Sequence, residues 1–594
     1  MSDDKVFSQY EQTRLSMRPA IMGRHGMVVS GHSLASQAAM RILDRGGNAV
    51  DAGVAAGICL AVLQPDMVNF AGVAPIMIFD AAGNELTTIS GVGPWPRAAS
   101  VEFFLEQCGG KLPEGILRTV VPAAPDAWIT ALMRYGTLRF ADVAADAIDL
   151  AANGFPMHAF LYNSLVELRQ KYLQWPENAA IYLPRDGMPC APGELFHQKD
   201  LAATMTTMAA AEHRVRFSGR QAALQAARDE FYKGSIAQTI VAYHRRNGGL
   251  LTAEDMASFA VNVESPPSVR YKDYDVYACG AWCQGPALLQ ALNLVEGWDL
   301  KALGHNSVAY IHALSEALKL VFADRERFYT DPDHTAVPLQ GLLSKAYAAE
   351  RRDAVDMNKA WKEMPPPGDP WRHETGLLAG TPAGDAAYRP PRPNDAPNDH
   401  LDTSYVCVVD RHGNCFSATP SDMSYTTEVI PGTGLAVSSR GSQSWVDKDH
   451  PCAVVGGRRP RLTPNPVMVF RDGKPCMVMG TPGGDTQCQT MLQTFLNIVE
   501  FDMEPQLAAE APRFATFSFP NSFYPHDYHP GLLRMEKRIP DAVVKGLTDM
   551  GHRVERWPDW AWKAGGVCLI TIDREQGVLT GAADPRRESY AVGW

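Results

Sequence analysis

Met27-Val28-Val29, set between Gly26 and Ser30, is a short apolar run that predicts a strand. Gly31-His32-Ser33 interrupts it. Apolar side chains then recur at Leu34, Ala38 and Ile42, the spacing of one helix face, with Ser33 expected as its cap. Gly46-Gly47-Asn48 closes that helix, and residues 49–63 are apolar almost throughout, with only Asp51 charged. The run stops before Pro65 and falls short of the roughly 20 residues that cross a bilayer, so it predicts a buried helix. Helical periods return over residues 201–244 and 308–328, and residues 76–79 predict a strand.

From about residue 361 to 402 periodicity is lost in a segment rich in Pro, Gly and Asp, expected to be mobile. Residues 404–409 and 415–419 then predict a hairpin across Asp410-Arg411-His412-Gly413-Asn414. A strand is expected at 435–439, a second hairpin at 467–470 and 476–479, and a helix at 487–501 after Gly480-Thr481-Pro482-Gly483-Gly484-Asp485. A strand pair at 567–572 and 578–582 closes the chain. Strands paired by tight turns, among many helices, predict an antiparallel sandwich covered by helices.

At 594 residues the chain exceeds what one core usually holds. Its composition, 46% hydrophobic and 20% charged, is that of a soluble globular protein. A net charge of -11 argues against nucleic acid, which needs a concentrated basic face. Arg458-Arg459-Pro460-Arg461 is too short for one and reads as a solvated loop. The first residues, MSDDKVFSQYEQ, lack a signal-peptide pattern. The 11 cysteines show no paired CxxC, and Cys279 and Cys283 have no histidine at ligand spacing. Reduced thiols, a cytoplasmic location, no membrane contact, no metal and no organic cofactor are the expectations.

Three places carry candidate chemistry. Thr403 follows Asp402 at the junction of the irregular segment with a strand. A threonine hydroxyl needs an adjacent base, and a free α-amine on the same residue is one; this requires the chain to be cut between Asp402 and Thr403. Equally, a β-branched residue simply suits a strand start. Consecutive glycines at Gly483-Gly484 let backbone N–H groups converge on an anion or oxyanion, or form a plain turn; no Lys follows as in a phosphate loop. Gly31-His32-Ser33-Leu34-Ala35 is one residue short of a nucleophile elbow, and Ser33 is equally a helix cap. His412 sits in a turn expected to be exposed, and Asp331 with Asp333 and Asp399 with Asp402 lack ligand spacing.

Taken together, Thr403-Ser404-Tyr405 with Val408-Val409-Asp410 and Gly413-Asn414, the run HSLASQAAMRILDRGGNAVDAGVAAGICLAVLQP, GTPGGD and the closing GAADPRRESYAVG resemble the γ-glutamyltranspeptidase family of N-terminal-nucleophile hydrolases. The resemblance spans nearly the whole chain. It implies a four-layer αββα sandwich, a precursor that cuts itself into a large chain (1–402) and a small chain (403–594), and Thr403 as nucleophile. It reduces Ser33 to a cap. It further implies that Ser421 hydrogen-bonds the nucleophile and that Gly483 and Gly484 form the oxyanion hole.

Departures from the family concern the substrate. The arginine that grips a γ-glutamyl α-carboxylate should fall in Gly91-Val92-Gly93-Pro94-Trp95 and is missing, with Arg97 displaced. A serine pair is replaced by Leu462 and Thr463, and the positions that read the α-amine are Met423, Arg440 and Gln443, without an acid. Losing both ends of that clamp argues against γ-glutamyl donors. Arg440, a planar donor fork, suits a carboxylate or carbonyl, or else a structural ion pair. A short stretch between Gln443 and Arg458 predicts a more open site. The expectation is a self-processing threonine amidohydrolase for a small amide whose acyl group is not γ-glutamyl, like oxamate amidohydrolase or the cephalosporin acylases. Alternatives are a γ-glutamyl hydrolase or transpeptidase, or, given the altered Phe70-Ala71-Gly72-Val73-Ala74, a non-catalytic member. The partners implied are the amide and the two chains of one precursor, with a homodimer of processed pairs left open.

Overall fold

Two wholly antiparallel seven-stranded sheets stack face to face in the computed structural model, which describes residues 15–375, 393 and 402–594. The first runs Tyr590–Gly593, Gly26–Ser30, Val406–Asp410, Cys415–Ala418, Ile76–Asp80, Glu85–Ile89, Val263–Glu264. The second runs Ile21–Gly23, Val578–Ala583, Cys568–Asp573, Lys474–Gly480, Val467–Arg471, Tyr274–Tyr277, Ser268–Tyr271. Both sheets contain strands from before and from after position 402, and Val28 lies opposite Val408. The two sequence portions are therefore halves of one fold, not separate domains.

Period-two alternation assigns the layers. Tyr405, Cys407 and Val409 point between the sheets onto Met468, Val478 and Ile570. Val406 and Val408 point outward with Ile76, Ile78 and Phe416 under the helices Ser33–Asp44 and Ala49–Leu63. Outside the second sheet, Val467, Val469, Met477 and Met479 pack under Gly285–Val295, Val308–Phe328 and Gln487–Val499. The result is helix, sheet, sheet, helix. Ala49–Leu63 is buried at every position, as its composition demands, and starts with an Asn48–Asp51 capping box.

Four expectations are corrected. Ser33 is not the cap of its helix; His32 is, its Nδ1 accepting from Leu34 N at 3.2 Å. The strand at 435–439 shrinks to Leu435–Ala436, because Ser438 and Ser439 leave the ladder to hydrogen-bond Asp422. Arg459 and Arg461 are not in a solvated loop: Arg459 is buried against Asp331, Asp333 and Glu264, and Arg461 against Glu326. The front of the segment expected to be mobile is docked, with Trp361 N donating to Glu316, Met364 N to the Tyr528 hydroxyl and Gly368 N to Asp324 at 2.7–2.9 Å. Residues 376–392 and 394–401 of that segment, and residues 1–14, lie outside the described residues. All 11 cysteines are unpaired thiols. Among the described residues no helix is long and apolar enough to cross a membrane.

Candidate active site

Thr403 lies at one end of the sandwich, three residues before the strand Val406–Asp410, and is 1% exposed. Its φ of 88° puts a β-branched residue in the left-handed region, a strain of order 1–3 kcal/mol that surrounding contacts must hold. They do. Thr403 N donates to Met67 O at 2.9 Å, Ser404 N to Pro420 O at 3.0 Å, and Arg587 Nη1 to Thr403 O at 3.3 Å. Burial takes the Arg587 guanidinium down to about 10 despite the nearby carboxylates of Asp66 and Asp402. Gly31 matters here because a Cβ would sit 2.0 Å from Ser404 Oγ. The segment read as a rival elbow thus makes room for the threonine junction, while Ser33 opens a helix.

Around the Thr403 hydroxyl the polar groups close into a compact buried network. Thr403 Oγ1 is 2.7 Å from Ser421 Oγ and donates to Asp402 Oδ1 at 3.1 Å; Ser421 Oγ donates to Asp402 Oδ2 at 3.1 Å. Arg440 Nη2 donates to both Asp402 Oδ2 and Ser421 Oγ. Asp402, Ser421 and Arg440 are all fully buried. Arg440 also stacks over the Phe523 ring at 5.3 Å and lies 3.6 Å from Asp422 Oδ2. Asp422 is filled from elsewhere: Ser438 Oγ, Ser439 N, Ser439 Oγ and Met423 N all donate to it. Burial pushes its carboxyl up, against the pull of Arg440.

The glycine pair arrives from the other sheet at the same end. Gly480, last in its strand, has no Cβ because the Tyr405 ring would lie 2.1 Å from one. Gly483 and Gly484 follow with φ of 127° and 56°, leading through a short 3-10 turn into the helix Gln487–Val499. Arg325 and Ser522 hold Asp485 in that turn. Neither glycine N–H has an acceptor among the described residues, which leaves two adjacent donors for a developing oxyanion. Gln284 Nε2 ties this loop to the substrate-side residues, donating to Gly484 O and Thr463 O at 3.0 Å.

Arg440 and Gln443 share one 3-10 turn, and Gln443 Nε2 donates to Thr463 Oγ1 at 3.2 Å. Met423 is 1% exposed two residues beyond Ser421, and Leu462 is held by backbone bonds to Trp282 and Gln284. The segment 91–95 contributes Trp95, whose Nε1 donates to Ser444 and whose ring lies against Gly441. Arg97 is remote, paired at the surface with Glu254. Asp402 is buried among Thr403, Ser421 and Arg440 on this side of the site.

Asp422 and Arg587 escaped the sequence reading. A position count found no acid near Arg440, because Asp422 sits where the family count skips between Ser421 and Met423. Arg587 lay in the quoted closing motif but was given no role. Among the described residues two clusters bring together metal-ligand side chains: His32, His158 and Glu588, and His312, Glu316 and His552. In the first, His32 Nδ1 is already the helix cap; in the second, the Lys319 ammonium is 2.6 Å from Glu316 Oε1. Neither donor set suits a cation.

Residues 35–594 match the family model described as gamma-glutamyltranspeptidase. The chain belongs to the γ-glutamyltranspeptidase family. It is a hydrolase acting on amide bonds, with the αββα fold of that family, so the non-catalytic reading is set aside. It is 32% identical to the glutathione hydrolase-like YwrD proenzyme of Bacillus subtilis (strain 168), across 97% of this chain and 100% of that one. It is also 32% identical to the acylase ACY 1 proenzyme of Pseudomonas sp. (strain SE83), across 96% and 94%. The crystal structure of cephalosporin acylase from Bacillus halodurans superimposes with a TM-score of 0.82 at 27% identity, covering 98% of this chain and 97% of that one.

Proposed function

We propose that this family member is a proenzyme that cuts itself between Asp402 and Thr403 and then hydrolyses a small amide through a threonyl ester. The observation that carries this reading is the buried Thr403 hydroxyl, 2.7 Å from Ser421 Oγ, on a strained backbone directly after Asp402. In the first reaction Thr403 Oγ adds to the Asp402 carbonyl, its proton passing to the Asp402 carboxylate it already faces. The C–N bond breaks, the proton reaches the Thr403 nitrogen, and water hydrolyses the ester to a carboxylate and a free α-amine. That amine, with an ordinary pKa of about 7.7–8.0, is then the base that takes the hydroxyl proton and hands it to the leaving amine of a substrate.

Ser421 orients the nucleophile, and Gly483 and Gly484 N–H receive the oxyanion. Arg440, Gln443, Met423 and Thr463 form the substrate-side wall. The relatives are named as proenzymes of both glutathione hydrolases and acylases. An acyl group other than γ-glutamyl fits better: the 91–95 segment offers Trp95 instead of an arginine, and Asp422, the acid that stays beside Arg440 after cleavage, already receives four donors. The test is N-terminal sequencing of purified protein. Wild type should yield a small chain beginning Thr-Ser-Tyr-Val, and Thr403→Ala should stay whole and inactive. A Thr403→Ala protein that still splits at this bond would sink the assignment.

A further inference from the structure

We propose that Asp402 occupies, in the uncleaved chain, the place of the substrate's acyl group, and that the mature site therefore takes monoamides of a four-carbon dicarboxylic acid. This rests on Thr403 being the nucleophile and adds what it acts upon. The two reactions pass through the same functional group, an ester on the same oxygen, so the groups that hold the acyl portion in one are in place to hold it in the other.

In self-cleavage that acyl portion is Asp402. Counting from its scissile carbonyl as the first carbon, Cα is the second, Cβ the third, and the carboxylate carbon the fourth. Its carboxylate is held directly by the reacting and substrate-side groups, receiving Arg440 Nη2, Ser421 Oγ and Thr403 Oγ1. Succinyl reproduces that distance. Glutaryl and γ-glutamyl each place the carboxylate one carbon further out.

Arg440 is wholly buried with Asp402 in place, and departure of Asp402 takes away the carboxylate its Nη2 binds directly. Its Nη1 has no hydrogen-bond partner among the described residues, and the same holds for Ser442 Oγ and Gln443 Oε1 of the same turn. Asp422 does not substitute: at 3.6 Å from Arg440 Nε, its oxygens are already taken by Ser438, Ser439 and Met423. Asp422 Oδ1 already receives three donors, which leaves a γ-glutamyl ammonium only Oδ2, itself taken once by Ser438 and facing Arg440. A substrate that arrives with its own carboxylate restores what Asp402 supplied.

The reaction balances without any co-reactant beyond water. Thr403 Oγ attacks the amide carbonyl, its proton moving to the α-amine and on to the leaving nitrogen. The C–N bond breaks, and water releases the diacid from the ester.

The experiment compares p-nitroanilides of succinic, glutaric and butyric acids with γ-glutamyl-p-nitroanilide on processed wild-type enzyme. One methylene in a fitted pocket is worth roughly 10–200-fold in kcat/KM, so succinyl should exceed glutaryl by at least about tenfold. It should exceed γ-glutamyl and the uncharged butyryl by more. Free succinate should inhibit at lower concentration than glutarate, a reading on wild type that no folding defect can confuse. Arg440→Gln should erase the preference of succinyl over butyryl. Fastest release from glutaryl or γ-glutamyl, or equal rates for succinyl and butyryl, overturns the proposal while leaving Thr403 as nucleophile. Absence of the Thr-Ser-Tyr-Val terminus from active enzyme overturns the underlying reading instead.

Discussion

Replacing Arg440 by methionine in an uncleavable chain measures how strongly the precursor is held together by its own cleavage site. With Thr403→Ala in every sample, Asp402 stays in place. Arg440, Asp402 and Asp422 are all fully buried, so the substitution leaves two carboxylates sharing one dry site without a cation. At an effective dielectric near 20, two unit charges about 4 Å apart interact by about 4 kcal/mol. Breaking a buried pair by removing one partner costs about 3–5 kcal/mol. Methionine keeps an apolar stem against Phe523, so little of the loss is packing. The expected destabilisation is therefore about 4 kcal/mol, read from denaturant unfolding at pH 7. Adding Asp402→Asn should recover about 2 kcal/mol of it, the coupling of a direct contact. The deficit should also shrink on acidification. Burial already raises the Asp422 carboxyl, loss of Arg440 raises it further, and an acid whose folded pKa lies above its unfolded value stops destabilising as pH falls through it. A deficit under about 1 kcal/mol, or one that Asp402→Asn leaves unchanged, would refute the account of this site.

Three further outcomes are expected. Ser421→Ala removes the hydroxyl 2.7 Å from Thr403 and should slow conversion to two chains about tenfold on time-course gels, with Ser421→Thr near wild type; an unchanged rate contradicts its orienting role. Gly483→Ala meets both a φ of 127° and Thr486 Oγ1 at 2.4 Å, and should cost processed enzyme about 100- to 1000-fold in kcat, whereas full turnover would exclude an oxyanion hole at this loop. Burial, then the neighbouring His158, takes His32 down to about 3, so between the unfolded value of 6.5 and that point the unfolded chain holds a proton the fold refuses, and stability falls with acidification. His32→Asn keeps a cap that cannot titrate, so its unfolding midpoint should drop less than wild type's between pH 7 and pH 4; equal drops would argue against it.

The elements were legible wherever one period dominated. Residues 308–328, read as helical, form the helix Val308–Phe328, and both predicted hairpins form with turns where Gly413 and Gly473 allow a positive φ. What the sequence hid is long-range. Gly26–Ser30 pairs with Val406–Asp410 from the far side of the chain, and no local pattern says so. The same is true of charge. Arg459 reads as solvated until Asp331 and Glu264 are brought to it, and Arg440 had no visible partner because Asp402 lies 38 residues away. Strand 435–439 failed for a related reason, since Ser438 and Ser439 serve a buried carboxylate instead of the ladder. Hydrophobic period reports which face is buried, while a buried polar network is set by partners that only the fold supplies.

On the proposed reading, the bond between Asp402 and Thr403 meets two needs at once. The nucleophile lacks its base until that bond breaks, and Arg440 lacks room for a substrate until Asp402 departs. One cut supplies both. The same cut removes the strained φ at Thr403, because an amino-terminal residue has no preceding carbonyl to clash with its side chain. Strain of about 1–3 kcal/mol, released wholly by the transition state, would speed cleavage by roughly 5- to 150-fold. The acyl position stays filled for as long as Asp402 is attached to Thr403, so activity toward a substrate cannot precede processing. A chain that placed its base on a separate residue would have to block the pocket by some other means; here the blocking group and the missing base are the two sides of a single peptide bond.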